Sequence, residues 1–117
     1  MATRLEDRFG EVTALGTSYT IVGAAVPATT TWNVLVSVTN RLTDSVKLRL
    51  YIADTSWSSG EPTGGTLKIA IAYDRPIAPG ETAQISGFIM KTTEKLIARS
   101  DTASALDISA QGVAITP

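Results

Sequence analysis

The side chains that could do chemistry are few, and their spacing suits contact better than catalysis. The chain contains no histidine and no cysteine. That removes the usual neutral-pH proton shuttle, thiolate nucleophiles and the commonest zinc ligands. A serine or threonine nucleophile would then need a buried lysine as its base. The lysines are Lys47, Lys68, Lys91 and Lys95, and the first two fall on outward strand positions, where a solvated amine keeps its proton. Two carboxylates across a cleft suffice for glycoside hydrolysis. Here Asp44, Asp54, Glu61, Asp74, Glu81, Asp101 and Asp107 stand singly at expected turns or strand ends, the ordinary place of solvated acids. No Asp-x-Asp-x-Asp run offers calcium a loop of oxygen ligands. The glycine-rich run Ser58-Ser59-Gly60-Glu61-Pro62-Thr63-Gly64-Gly65 lacks the Gly-Lys-Ser/Thr of a phosphate loop. The expectation is a protein that is not an enzyme and holds neither metal nor cofactor.

Residues suited to contact are easier to find. Trp57 lies in a Ser/Gly-rich stretch, where an aromatic either folds back as a lid or anchors a contact with protein or sugar. Lys47, Arg49 and Lys68 share one expected outer sheet face, which is either a solvated polar face or a basic patch for an acidic partner. The first fourteen residues place Leu5, Phe9 and Val12 at i, i+4, i+7 among the charges of Arg4, Glu6, Asp7 and Arg8. Such a stretch reads as one or two helical turns, as an extended arm that orders against a neighbour, or as a simple terminal extension with no role. Leu5, Arg8, Phe9, Lys47, Arg49 and Trp57 are therefore the expected interface residues.

Strands must position these groups, because the hydrophobic period is two nearly throughout. Trp32, Val34, Val36 and Val38 share a face; so do Val46, Leu48, Leu50 and Ile52, and again Leu67, Ile69, Ile71 and Tyr73. Alternation of this kind predicts antiparallel strands with one face on a core. Ser18 to Val22, Thr82 to Met90, Lys95 to Arg99 and Leu106 to Ile115 are weaker candidates. In the second and fourth of these the apolar parity switches at Gly87 and Gly112, as a β-bulge would make it do. Asn40 to Ser45 reads as the turn of a hairpin, Pro79-Gly80 as a type II turn, and Asp101 to Ser104 as a further break. About seven or eight strands at this spacing predict an all-β fold, an antiparallel two-sheet β-sandwich of jelly-roll-like form. The domain would span residues 15–117, preceded by an arm over residues 1–14.

Bulk properties narrow the partners. The 117 residues make one domain, and ten basic against eleven acidic residues leave a formal charge of −1. That is not the electrostatic footprint of a nucleic-acid binder. No apolar run approaches the roughly 18 residues of a membrane-spanning helix, and the charged opening has no apolar segment of a signal peptide. The expected setting is the cytoplasm, at least until assembly, with no membrane partner.

From Tyr19 onward the order of features resembles small β-sandwich structural proteins of tailed phages and prophages. The matching pieces are Tyr19-Thr20-Ile21-Val22, then Val26-Pro27-Ala28-Thr29-Thr30-Thr31, then the strand Val34 to Val38 closing on Thr39-Asn40-Arg41. They continue in Ile71-Ala72-Tyr73-Asp74-Arg75-Pro76-Ile77-Ala78-Pro79-Gly80-Glu81-Thr82 and in the terminal strand Ile108 to Ile115. The resemblance covers residues 17 to 116 and rests on turns and strands. It implies a virion component and no particular position in the virion, since similar sandwiches serve both as capsid decoration (cement) proteins, often trimeric, and as tail or fibre pieces. The expected role is decoration, as a homo-oligomer such as a trimer bound to a major capsid protein. The alternative it implies is a tail or fibre module that contacts tail proteins or a host glycan. It carries over no catalytic residues.

Overall fold

The alternating stripes do become strands, and the order in which they pair is set by distant partners. The structure is a computed structural model that describes the backbone of residues 3–23 and 25–116 and the side chains of residues 10–23 and 25–115. Its elements are β1 (Thr3–Leu15), β2 (Thr20–Ile21), β3 (Thr31–Asn40), β4 (Val46–Ala53), β5 (Leu67–Ile77), β6 (Thr82–Met90), β7 (Lys95–Ser100) and β8 (Leu106–Thr116). No helix occurs among the described residues. One four-stranded sheet runs β1-β8-β3-β6 and the second runs β2-β7-β4-β5, with every pairing antiparallel. Strand 1 lies by 8, 2 by 7, 3 by 6 and 4 by 5: a ribbon of paired strands folded over itself. This is the eight-stranded jelly roll, and only β4–β5 joins neighbours in sequence.

The inner faces meet as the stripes foretold. Trp32, Val34, Val36 and Val38 of β3 are buried, as are Val46, Leu48, Leu50 and Ile52 of β4. They pack with Phe88 and Met90 of β6, Leu96 of β7 and Leu106 and Ile108 of β8 in a single apolar cluster. Fully burying one such aliphatic side chain contributes about 1.5–3 kcal/mol. On β6 the parity switch is a true bulge. Val34 faces Phe88 and Leu35 faces Ser86, which leaves Gly87 as the extra residue at φ +86°.

Four expectations need correction. The parity switch at Gly112 is not a bulge against β3: the β3–β8 register runs unbroken, and Val113 and Ile115 stay on the outer face. Gly112 instead lies flat against β3, where a Cβ would collide with the carbonyl oxygen of Asn33. The turn from Asn40 to Ser45 is not a hairpin, since β3 and β4 belong to different sheets. Both edges of β3 are already taken by β6 and β8, so the chain must cross to the other layer. Buried Asn40 holds that corner, its Nδ2 donating to the carbonyls of Asp44 (2.8 Å) and Ile77 (2.9 Å) while its Oδ1 accepts from Leu42 N (2.9 Å). The stripe Leu67-Ile69-Ile71-Tyr73 is not one continuous core face. Ile71 packs against the main core and Leu67 against a second cluster, but Ile69 and Tyr73 are 49% and 64% exposed, because β5 is an edge strand whose register against β4 shifts repeatedly. Finally, the opening residues expected as an arm run as β1, the edge strand of the first sheet, paired with β8 from Thr3 to Leu15. The type II turn at Pro79-Gly80 is present, with Glu81 N donating to Ala78 O at 2.9 Å and Gly80 at φ +72°.

The burial contrast between β4 and β5 yields a paired prediction. Leu50→Ala is expected to cost about 2–5 kcal/mol as a core cavity. Ile69→Ala, at an exposed position of the β5 stripe, is expected to change stability by less than about 0.5 kcal/mol. Urea denaturation of both variants measures this; equal costs would show that Ile69 packs inward after all.

Candidate functional site

The densest polar cluster lies on the outer face of the second sheet and is centred on Arg49 of β4. Leu48 and Leu50 point into the core, so Arg49 between them points out. On β5, Leu48 pairs with Arg75 and Leu50 with Ala72. Tyr73 and Asp74 therefore both lie across from Arg49 in a bulge, with Asp74 at φ +52°. Arg49 Nε donates to Asp74 Oδ1 at 2.7 Å, and Nη2 donates to Asp74 Oδ2 at 3.3 Å and to Tyr73 Oη at 3.0 Å. The remaining arm, Nη1, donates to Glu61 Oε1 at 2.7 Å from the β4–β5 loop. The guanidinium carbon also stands 4.2 Å from the centre of the Tyr73 ring.

A second set of contacts ties this cluster to the sheet beneath. Tyr19 Oη donates to the Glu61 carboxylate at 2.9 Å, and its ring stacks on Tyr51 with centres 5.4 Å apart. The Arg99 guanidinium lies 5.6 Å from the Tyr19 ring centre. Burial, and then the bonds to Tyr51 and Glu61, push the Tyr19 phenol above its ordinary value. The bond to Asp74 leads the causes that hold Arg49 protonated, and Arg49 in turn holds the Asp74 carboxyl below the usual carboxylate range. General acid catalysis needs a carboxyl kept protonated, and Asp74 is driven the other way.

Trp57 takes the lid position. It is 7% exposed and packs with Tyr51, Ala53 and Ile97 in a small apolar cluster outside the second sheet, with Tyr19 and Leu67 against it. Its Nε1 donates to Gly60 O at 2.9 Å, and Lys95 Nζ donates to its carbonyl at 2.8 Å. The loop is thereby pinned down, and the indole has no open face for a sugar or a partner. Its burial also explains why Tyr51 and Ile97 are covered although they point away from the core.

The other expected interface residues divide. Lys47 and Arg49 are both on the outer face, and of the two readings of that face with Lys68, a solvated polar face or a basic patch, a bare basic patch is not what forms. Arg49 is engaged by two carboxylates, and Lys68 stands 3.5 Å from Asp54. Arg49 on β4 is faced by acids from the adjacent strand and the β4–β5 loop. The side chains of Leu5, Arg8 and Phe9 lie outside the described residues; their backbone is part of β1. Sequence reasoning missed Tyr73, Asp74, Glu61 and Tyr19 as one group. The only trace is Asp74, a residue type that tolerates positive φ, and period-two reading cannot see a bulge.

A shallower depression lies on the outer face of the first sheet, lined by Glu11, Thr13, Ser37, Thr39, Asp107 and Ser109 among others. Asp107 is already committed there, accepting from Ala14 N at 2.8 Å and pairing with Arg41 Nε at 2.9 Å. Among the described residues no group of three or more acids is placed to hold a metal ion.

No family model matches the chain, and no curated protein matches it in sequence. Among solved structures, it is similar to a protein in the structure of infectious bursal disease virus Gx strain. That match has a TM-score of 0.53 and 13% identity and covers 98% of this chain and 32% of the other. A second match is the infectious bursal disease virus VP2 subviral particle, with TM-score 0.49, 14% identity, and coverage of 98% and 32%. A third is an N-terminal endo-1,4-β-D-xylanase from Clostridium thermocellum complexed with xylohexaose, with TM-score 0.46, 16% identity, and coverage of 99% and 24%. The chain thus spans no more than a third of the length of these proteins. The first match shows that a viral protein contains the same fold.

The β4–β5 loop should also respond to acid. The Ser56 hydroxyl and amide both donate to Asp54 Oδ2, at 2.6 and 3.0 Å, and with Lys68 nearby they lower the Asp54 carboxyl from 3.8 to about 2. A depressed carboxyl contributes stability that is present above its unfolded value and is lost as pH falls through its folded value. Asp54 should therefore stabilise the fold above about pH 4 and cease to do so near pH 2. Thermal unfolding between pH 5 and 2 should show a smaller acid-induced loss in Asp54→Asn than in the wild type; parallel profiles would remove Asp54 from the acid response.

Proposed function

We propose that the chain is a structural protein of a virion, and specifically a decoration (cement) protein of the tailed-phage type. It would be made in the host cytoplasm and bind the outside of a capsid lattice as a small oligomer, such as a trimer. Its action is adhesive and involves no catalysis. The jelly roll is an architecture of viral capsid domains, and the fold likeness to a protein of infectious bursal disease virus agrees with that use. Fold alone does not assign function, so the reading rests on one surface.

That surface is the outer face of the first sheet. Asn33 of β3 pairs with Ile89 on one side and Val113 on the other, and Thr31 pairs with Ile115. Ile89, Val113 and Ile115 therefore share this face, together with Leu35. Ile89 is 54% and Ile115 42% exposed. Aliphatic side chains gathered outside a closed core gain stability only by covering against something else. A capsid protein surface or a neighbouring copy would supply that cover, and repetition on a lattice would turn weak contacts into firm attachment.

Quantitative mass spectrometry of purified particles from the source tests the reading. Hundreds of copies per particle are expected for a capsid location. A few to tens would move the protein to the tail, and absence from particles would overturn the virion reading itself.

A further inference from the structure

A regular strand sends Tyr73 and Asp74 to opposite faces of its sheet. The bulge in β5 sends both to the outer face, where Arg49 contacts each of them. Asp74 adopts a backbone conformation at φ +52° that side chains other than glycine seldom take. Bulges are a known means of re-aiming a side chain beside a site.

The outcome is an aromatic ring that is both exposed and fixed. Tyr73 is 64% open to solvent, the most exposed of the large hydrophobic residues among the described ones, yet its hydroxyl is bonded to Arg49 and its ring is in contact with the guanidinium. A ring already held in place loses little freedom when a ligand stacks on it. Beside it stand Asp74 and Glu61, with side chains 39% and 47% exposed. A carboxylate accepts about four hydrogen bonds. Asp74 accepts two from Arg49, so both acids keep acceptor capacity facing solvent.

Charge narrows the ligand class. Arg49 is met by two carboxylates, and although the charges of Lys47 and Arg99 reach Asp74, the hydrogen-bonding capacity left open at the centre of the cluster is mainly that of acceptors. A phosphate or sulfate would meet those carboxylates first. A pyranose fits: its C–H face is apolar and flat, and its rim carries hydroxyl donors. We propose that Tyr73, Asp74, Glu61 and Arg49 form a binding site for neutral glycans. One sugar ring would stack on Tyr73, and its neighbouring hydroxyls would donate to Asp74 and Glu61. This goes beyond the capsid-binding reading and does not need it. The two are compatible in space, because the outer faces of the two sheets point in opposite directions. A protein attached through the first sheet presents the second outward.

The test is an array of oligosaccharides ending in glucose, galactose, mannose, xylose or N-acetylglucosamine, with sialylated and sulfated glycans and an oligolysine peptide as comparators. Hits would be titrated by NMR with the intact chain. Binding to one or more neutral glycans is expected, with shifts at Tyr73, Asp74 and Glu61. Tyr73→Ala is expected to weaken it about tenfold or more, and Tyr73→Trp to retain it. Asp74→Asn, which tolerates the same backbone, is expected to weaken it while the chain still unfolds cooperatively, at a melting temperature only slightly lowered by loss of the partly exposed ion pair to Arg49. Tyr73 is exposed at a sheet edge, so its variants should fold, and their melting curves verify that. Binding that survives Tyr73→Ala would overturn the proposal. So would retention of only the acidic glycans, retention of only the oligolysine peptide, or an array with no neutral hit.

Discussion

The ladder between β3 and β8 is the interaction on which the rest of the molecule depends. Its register runs without interruption from Thr31–Ile115 to Asn40–Leu106 and joins the buried stripe of β3 to β8. The close approach needs Gly112, since any side chain there would strike the Asn33 carbonyl. Once β8 is in place it offers its other edge to β1, while β3 offers its own to β6, and the first sheet is complete. Because β8 pairs with strands as far away in sequence as β1 and β3, this sheet closes only when distant parts of the chain have met. Such non-local pairing makes folding slow relative to helical proteins of equal size.

How much of this was legible depended on where each strand sits. The stripes of β3 and β4 could be read correctly because interior strands have one face on the core and one outside, and period two records that contrast. On β5 the same pattern misled. An edge strand with register shifts can leave Ile69 and Tyr73 outside while Ala72 and Ile77 fill the core. Turn residues announce that the chain changes direction, and they do not say which layer it enters next. Asn40 to Ser45 therefore looked like a hairpin, and the buried Asn40 that holds the corner gave no sign of its role. The opening stretch was read as an arm because its charges argued against burial, but an edge strand needs only a backbone partner along one side.

The candidate site was the least legible part. Arg49 was identifiable as an outward base, but its partners come from a bulge and a loop, and both arise from tertiary structure. Trp57 was legible as an aromatic that either folds back as a lid or anchors a contact, and the second apolar cluster outside the sheet takes it as the lid. Tyr73, read as a core residue, is the aromatic that solvent reaches. The two outer faces thus differ in chemistry. The first gathers Ile89, Val113 and Ile115, and the second gathers an ion-paired arginine, two acids and an open tyrosine ring. The rigid pair of sheets between them keeps the faces apart and oppositely directed.

Native-state hydrogen exchange along β8 most directly tests whether this strand lies between β3 and the chain's opening residues. In an antiparallel strand, alternate amides bond to opposite neighbours. If β1 and β3 both flank β8, the two alternating sets of amides should be protected together through its length and should exchange only by global unfolding. Protection restricted to the set facing β3, with the set facing β1 exchanging like a free edge, would contradict the pairing and return the opening residues to the role of an unattached arm.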